Sequence, residues 1–219
     1  MFVITADQID SRNDRDRAGD MIDALREQFG DTFALPADQT SGDEIQVIIT
    51  DAQATLDAIM LLHRSGHWSV GLGIGTVRTP LPASTRQAAG AAFIAARHAV
   101  TRAKKADTHV AIDTPPTEDL PAEAPPGESC SLTVEHVDAL LAMLLLLRQR
   151  RSAEGWEAVD LLDSGLNQVD IAATLGISTA AVSQRIKVAQ YHLEQAAHPA
   201  IVRLLEHLDR ATSEMDTPA

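Results

Sequence analysis

The feature that most limits how this chain can fold is its proline-rich middle. Residues 114–129 read TPPTEDLPAEAPPGES, with five prolines, four acidic residues and no basic residue. Prolines favour extended spacers, and like charges with almost no aliphatic side chains cannot build a core. We therefore predict two domains, at residues 1–113 and 132–212, joined by an acidic linker at 114–131 and followed by a disordered tail at 213–219.

Composition and charge narrow the classes of protein that fit. The 219 residues are 45% hydrophobic and carry a net charge of −13, which argues against coating nucleic acid through bulk charge. The longest apolar run, residues 139–147, is too short for a bilayer, and the start MFVITADQID lacks the basic residues of a secretory signal. Cys130 is the only cysteine, so no internal disulfide can form. We expect a cytoplasmic protein with no membrane partner.

The front domain shows alternating strand and helix patterns. Apolar runs predict strands at 2–5, 32–36, 45–50, 68–77 and 109–113, and helical periodicity predicts helices at 13–28, 51–63 and 84–105. The resulting order, βαββαβαβ, contains split βαβ units. It predicts an α+β, ferredoxin-like sheet in which the first and third strands are central neighbours.

Two acidic residues fall at the same end of this predicted sheet. Asp7 ends the first strand, and Asp43 lies in the SGDE turn before the third. Neighbouring carboxylates repel unless a cation joins them, and Mg²⁺ prefers oxygen ligands and substrate phosphates. A helix starting after Ser11 would offer free N–H groups to a phosphate, with Arg12 offsetting nearby acids. Taken singly, each feature fits a turn or a helix cap better than a binding site.

These motifs resemble a known superfold. DQ at a strand end, SGDEI in a hairpin and GLGIG in a later strand resemble the nucleotidyl-cyclase superfold of class III cyclases and GGDEF proteins. DQIDSR, GDE, GIG and AFIAAR resemble the SatD family more closely. The resemblance implies that Asp7 and Asp43 hold Mg²⁺, helped by the backbone carbonyl of Gln8, and that Gln8 and Arg97 belong to the binding site of a purine nucleotide. Phe93 replaces the asparagine of cyclases, and no lysine is evident near this pocket.

The rear domain contains the stretch LNQVDIAATLGISTAAVSQRIKVAQ. Ala172 is small where two helices would touch, and Gly176 stands where a turn needs positive φ. Val182 and Ile186 return to the core. This spacing is typical of the DNA-binding helix-turn-helix, and the segment resembles those of MarR-like and sigma-factor region 4 proteins.

The outward positions of this motif suit major-groove reading, because they are short polar, amide or basic. No acidic residue occurs between Asp170 and Glu194. The alternative is a three-helix protein-binding module with the same spacing by coincidence. The predicted DNA-contacting residues are Gln168, Ser178, Thr179, Ser183, Gln184, Arg185 and Lys187.

Together the domains predict a transcription regulator that binds double-stranded DNA as a homodimer. Its front domain would bind a nucleotide or a divalent metal as a signal, or serve only as a dimerisation module. The nearly continuous apolar helix predicted at 132–151 favours packing against a second copy, and two copies would also double the DNA contacts of an acidic domain. The alternative is an enzyme, a nucleotidyl cyclase or related phosphotransferase, and Phe93 favours the regulator.

Overall fold

The computed structural model describes residues 1–40, 42–115 and 132–215. Within these ranges the chain has an α+β fold with a five-stranded mixed sheet and eight α-helices. The strands are β1 Phe2–Gln8, β2 Phe33–Gln39, β3 Glu44–Ile49, β4 Trp68–Ile74 and β5 Val110–Asp113. The helices are α1 Ala18–Phe29, α2 Ala52–Ser65, α3 Ala91–Ala103, α4 Val134–Gln149, α5 Ala153–Asp163, α6 Gln168–Leu175, α7 Thr179–Val188 and α8 Tyr191–Met215.

Parts of the sequence prediction lie outside the described residues. They are residues 116–131 of the predicted linker and residues 216–219 of the predicted tail. Among the helices of the described ranges, none is both long enough and apolar enough to cross a membrane.

The sheet has the strand order β2-β3-β1-β4-β5. Strand β1 is antiparallel to both of its neighbours, β3 and β4, while β5 joins the edge parallel to β4. The predicted order of strands and helices in the front domain is therefore confirmed, as is the neighbourhood of the first and third strands.

Glycines in β4 set the distance between the sheet and α3. A Cβ added at Gly71 would lie 2.2 Å from the Val100 nitrogen, and one added at Gly73 would lie 2.0 Å from the Ala92 carbonyl oxygen. Leu72, the residue between them, points to the opposite face and is fully buried. The GLGIG motif therefore lets the backbone of α3 approach the sheet closely.

Two predicted helix starts are wrong. The helix expected at 13–28 begins at Ala18, because the side chain of Gln8 holds the preceding loop: its Nε2 donates to the Arg15 carbonyl and its Oε1 accepts from the Arg17 N–H. The helix expected at 84–105 begins at Ala91. Ahead of it, Gly90 has a φ of 153°, and its backbone lies too close to Thr76 for any side chain.

The chain divides into two compact units, residues 1–142 with 201–219 and residues 143–200. These limits differ from the predicted ranges 1–113 and 132–212 because α4 and α8 each continue from one unit into the other. In the first unit, Asp138 of α4 accepts a hydrogen bond from the Ile112 N–H at 2.9 Å and pairs with Arg102. Burial raises the pKa of Asp138, although both of these partners lower it.

Candidate functional site

The turn between α6 and α7 has the geometry that its sequence predicts. Gly176 ends α6 with a φ of 65°, in the left-handed region that glycine tolerates. Its N–H donates to the Ala172 carbonyl, and the Ile177 N–H donates to the same oxygen at 3.1 Å. Ala172 is only 6% exposed, so a larger side chain would not fit at this point of contact.

A compact apolar cluster fixes the angle between these helices and α5. Because α7 contributes Val182 and Ile186 to this cluster, its opposite side is left to solvent. Beside the cluster, the Tyr191 hydroxyl donates to Asp163 at 2.7 Å, and burial, followed by this bond, raises the pKa of Tyr191 to about 12. The buried members of the cluster are Ala158, Ile171, Ala172, Val182 and Ile186.

Side-chain caps begin both helices of the motif. The Asn167 side chain accepts from the N–H groups of Val169 and Asp170, and the Ser178 side chain accepts from the Ala181 N–H at 3.2 Å. Such caps satisfy N–H groups that a helix leaves open at its start. Ser178 therefore has a structural role as the cap of α7, besides its predicted role in DNA contact.

Four of the predicted DNA-contacting residues form an exposed face on α7. They are Thr179, Ser183, Gln184 and Lys187, and none of their side chains has a hydrogen bond or ion pair within the described part of the chain. Gln168 of α6 is also exposed, and it lines a groove of about 330 Å³ together with Ser183 and Lys187. The structure therefore brings the predicted residues of both helices to one surface.

Arg185 is placed differently from the other predicted contacts. Its side chain is 26% exposed and forms an ion pair with Glu157 of α5, with 2.8 Å between the nitrogen and the oxygen. The guanidinium is thus held at the border of the exposed face rather than at its centre. No local sequence pattern predicts this pair, because the two residues are 28 positions apart.

The first compact unit, residues 1–142 with 201–219, is called the front unit below. In it, the two predicted metal ligands lie on neighbouring strand ends. The Asp43 carbonyl accepts from the Gln8 N–H at 3.1 Å, and Asp7 lies opposite Glu44 in the pairing of β1 with β3. The Asp7 carboxylate forms an ion pair with Lys104 at 2.8 Å. Among the described residues there is no group of three or more potential metal-binding side chains. The expectation that no lysine lies near this pocket is wrong.

The groove that Arg97 lines contains none of the other predicted nucleotide-binding residues, Gln8, Ser11 and Arg12. Ser11 and Arg12 lie in the loop before α1, seven and six positions ahead of Ala18, so the helix start expected directly after Ser11 is absent there. Gln8 is 3% exposed, and its side-chain amide is committed to that loop.

Arg97 lies on α3 and lines a separate groove with two arginines that sequence reasoning missed. These are Arg78, which closely follows β4, and Arg86, which lies in the short 3₁₀ turn Thr85–Gln87. The only local signal was the spacing of basic residues after GLGIGTV, which does not reveal that they converge.

No family model, no curated protein and no solved structure matches this chain. Its function therefore has to follow from the geometry of its own residues.

Proposed function

We propose that this chain is a DNA-binding transcription regulator that reads double-stranded DNA with helix α7. The observation that carries the proposal is the exposed face of α7, whose polar side chains have no partner within the described residues. A recognition helix needs such uncommitted donors and acceptors, because the edges of the bases must satisfy them.

The proposed contacts divide by chemistry. Gln184 carries an amide, which can pair bidentately with adenine, whereas Lys187 supplies a point charge suited to phosphate. Thr179 and Ser183 add short hydroxyls that allow the helix to approach closely. We assign Gln168, at the first turn of α6, to the DNA backbone beside the major groove. Arg185 contributes once DNA competes with Glu157 for its guanidinium.

We propose that the active form is a homodimer paired through α4. One side of this helix exposes Leu140 at 45%, Met143 at 64% and Leu146 at 37%. An antiparallel pair centred on Met143 would cover these side chains. It would also bring Glu135, near the start of the helix, close to Arg150 of a second copy. Two copies would then read half-sites about 34 Å apart.

The front unit is proposed as a ferredoxin-like, nucleotidyl-cyclase-like sensor. The antiparallel order β2-β3-β1-β4 supports this reading. The proximity of Asp7 and Asp43 on neighbouring strand ends supports a site for Mg²⁺ and a purine nucleotide. We assign Gln8 and the loop residues Ser11 and Arg12 to this site as nucleotide contacts. The same unit could instead serve only for dimerisation. Incubation with ATP or GTP and Mn²⁺, followed by chromatography, tests the enzymatic alternative.

DNA binding is tested first by substitutions on α7. We expect Gln184→Ala to weaken binding to a site selected from genomic fragments by ~1–3 kcal/mol, because one bidentate base contact is lost. Lys187→Gln should weaken binding to all sequences alike, and should reduce the slope of log affinity against log salt by about 1. Fluorescence anisotropy at several salt concentrations measures both effects.

Lys105→Gln provides the matched control, because Lys105 is exposed and lies on the front unit. It should leave the affinity and the salt slope as in the unmodified chain. If Gln184→Ala and Lys187→Gln bind every fragment as the unmodified chain does, α7 is not the reading helix. The three-helix protein-binding module would then be the better interpretation.

The Lys104–Asp7 ion pair gives a test of the proposed metal site. The Lys104 ammonium group is paired with the carboxylate that a metal ion would need. Lys104→Met should therefore tighten Mn²⁺ binding about tenfold, which corresponds to the free energy of one charge-assisted hydrogen bond. Asp7→Asn should abolish it. Calorimetric titration measures both, with Lys105→Met as the control. Equal affinity in all four chains would exclude Asp7 as a metal ligand.

A further inference from the structure

A groove of about 520 Å³ lies at the N-terminal end of α3 in the front unit. Of the described residues that line it, three are arginines and none is acidic. Such a surface is unusual in a chain whose net charge is −13, because most basic side chains in an acidic protein have acidic neighbours. The lining residues that matter most are Gln46, Arg78, Arg86, Phe93, Ile94 and Arg97.

The three arginines differ in how they are held. Arg86 is fixed by a two-pronged pair with Asp38, with its Nε 2.7 Å from the carboxylate, and this bond holds the pKa of Asp38 below its usual value. Arg78 and Arg97 are exposed, and neither guanidinium has a partner among the described residues. Within the described part of the chain, the groove therefore has two guanidinium groups that no acidic side chain neutralises.

The backbone around the groove is fixed. The Arg78 N–H donates to the Ala89 carbonyl at 2.8 Å, and the Ala92 N–H donates to the Thr76 carbonyl at 3.1 Å. Gly90 allows this contact, since a Cβ there would lie 2.4 Å from the Thr76 oxygen. The backbone positions of Arg78 and Arg97 are thus fixed relative to each other before a ligand binds. This preorganisation lowers the entropic cost of binding.

The rest of the lining combines apolar and polar groups. Ile94 is 59% exposed, and Phe93 lies beside it on α3, so one side of the groove offers an apolar surface. On the sheet, Gln46 pairs with Thr5 across β3 and β1, and the buried Thr5 hydroxyl has no hydrogen-bond partner among the described residues. A ligand that fits would carry a concentrated negative charge at one end and a flat or apolar body at the other.

We infer that this groove binds a small phosphorylated molecule, with Arg78 and Arg97 holding the phosphate and Ile94 contacting an apolar or flat body. Guanidinium groups bind phosphate oxygens bidentately without needing a metal ion. The site is distinct from the Asp7–Asp43 pair, because neither acid lines the groove. Binding here does not depend on the proposed DNA-binding function. Only its role as a signal rests on that function.

Calorimetry on the full chain in EDTA tests the inference, with ATP, GTP, pyrophosphate and inorganic phosphate as the probes. We expect at least one probe to bind, and Arg78→Gln and Arg97→Gln each to weaken that binding tenfold or more. If a nucleotide binds more tightly than pyrophosphate, its additional affinity comes from contact with the apolar side of the groove. Ile94→Ser should then abolish that additional affinity. Equal affinity would mean that the phosphates alone are recognised, with Ile94→Ser having no effect.

Arg26→Gln is the matched control, because Arg26 is also an exposed arginine of the front unit but lies on α1, outside the groove. It should leave binding in EDTA unchanged, whereas a nucleotide held beside Asp7 would require Mg²⁺. The absence of heat from all four probes, or equal heat from the unmodified chain and both groove variants, would overturn the inference. Anisotropy with the selected DNA, measured on the same variants, separates this outcome from a failure of the DNA-binding proposal.

Discussion

Gly73→Ala is expected to destabilise the front unit by about 3 kcal/mol or more, the upper range for overpacking a core. A Cβ at this position would lie 2.0 Å from the Ala92 carbonyl oxygen and 2.3 Å from the Ala96 nitrogen. Both neighbours are backbone atoms of α3, so no side-chain rotation can relieve the clash. The helix would have to move away from β4, and the cluster that includes Ala92 and Ala96 would lose contact with Val3.

Urea denaturation, followed by circular dichroism, measures this loss. Gly19→Ala is the control, because Gly19 lies in α1 and a Cβ there meets no atom within 4 Å. That exchange should stabilise the chain by ~0.5–1 kcal/mol, since alanine loses less backbone entropy in a helix. A Gly73→Ala chain as stable as the Gly19→Ala chain would contradict the close approach of α3 to the sheet.

Glu194→Gln is expected to lower the free energy of unfolding of the second compact unit, residues 143–200, by a comparably large amount. The Glu194 carboxylate lies between Arg148 and Arg151, and the three side chains are 9%, 7% and 1% exposed. Both guanidinium groups also lie over the Trp156 ring, at 4.8 and 4.2 Å from its centroid. Removing one member of a buried ion group typically costs ~3–5 kcal/mol, because the remaining charges stay buried without compensation.

The matched control is Glu206→Gln, which changes an exposed glutamate on the same helix. Its effect should stay within ~0.5 kcal/mol, as for most surface substitutions. Thermal and urea unfolding of both variants, compared with the unmodified chain, give the two free energies. A loss of less than ~1 kcal/mol for Glu194→Gln would mean that water reaches the cluster and screens it.

Several features of the fold could be predicted because their causes are local. The alternation of apolar residues predicts the order of strands and helices in residues 1–113. Gly176 predicts a left-handed turn because few other residues tolerate it, and the small size of Ala172 predicts a tight contact between helices. These signals depend on neighbours within a few positions, which is why a single sequence reveals them.

Other features depend on contacts between distant residues, which no local pattern encodes. The start of α1 at Ala18 follows from the Gln8 side chain, whose amide holds the backbone of the preceding loop. The AFIAAR motif indicated Arg97 but not Arg78, because the two arginines come to line the same groove only when α3 packs onto β4.

The sequence by itself determined the types and order of the elements, the glycine turn of the helix-turn-helix and the residues that face outward on most of α7. Only the tertiary structure decided which charges meet: Lys104 with Asp7, Arg185 with Glu157, and Arg148 and Arg151 with Glu194. The physical reason is that helix and turn preferences act over a few residues, whereas an ion pair requires two side chains to be within about 4 Å, whatever their separation along the chain.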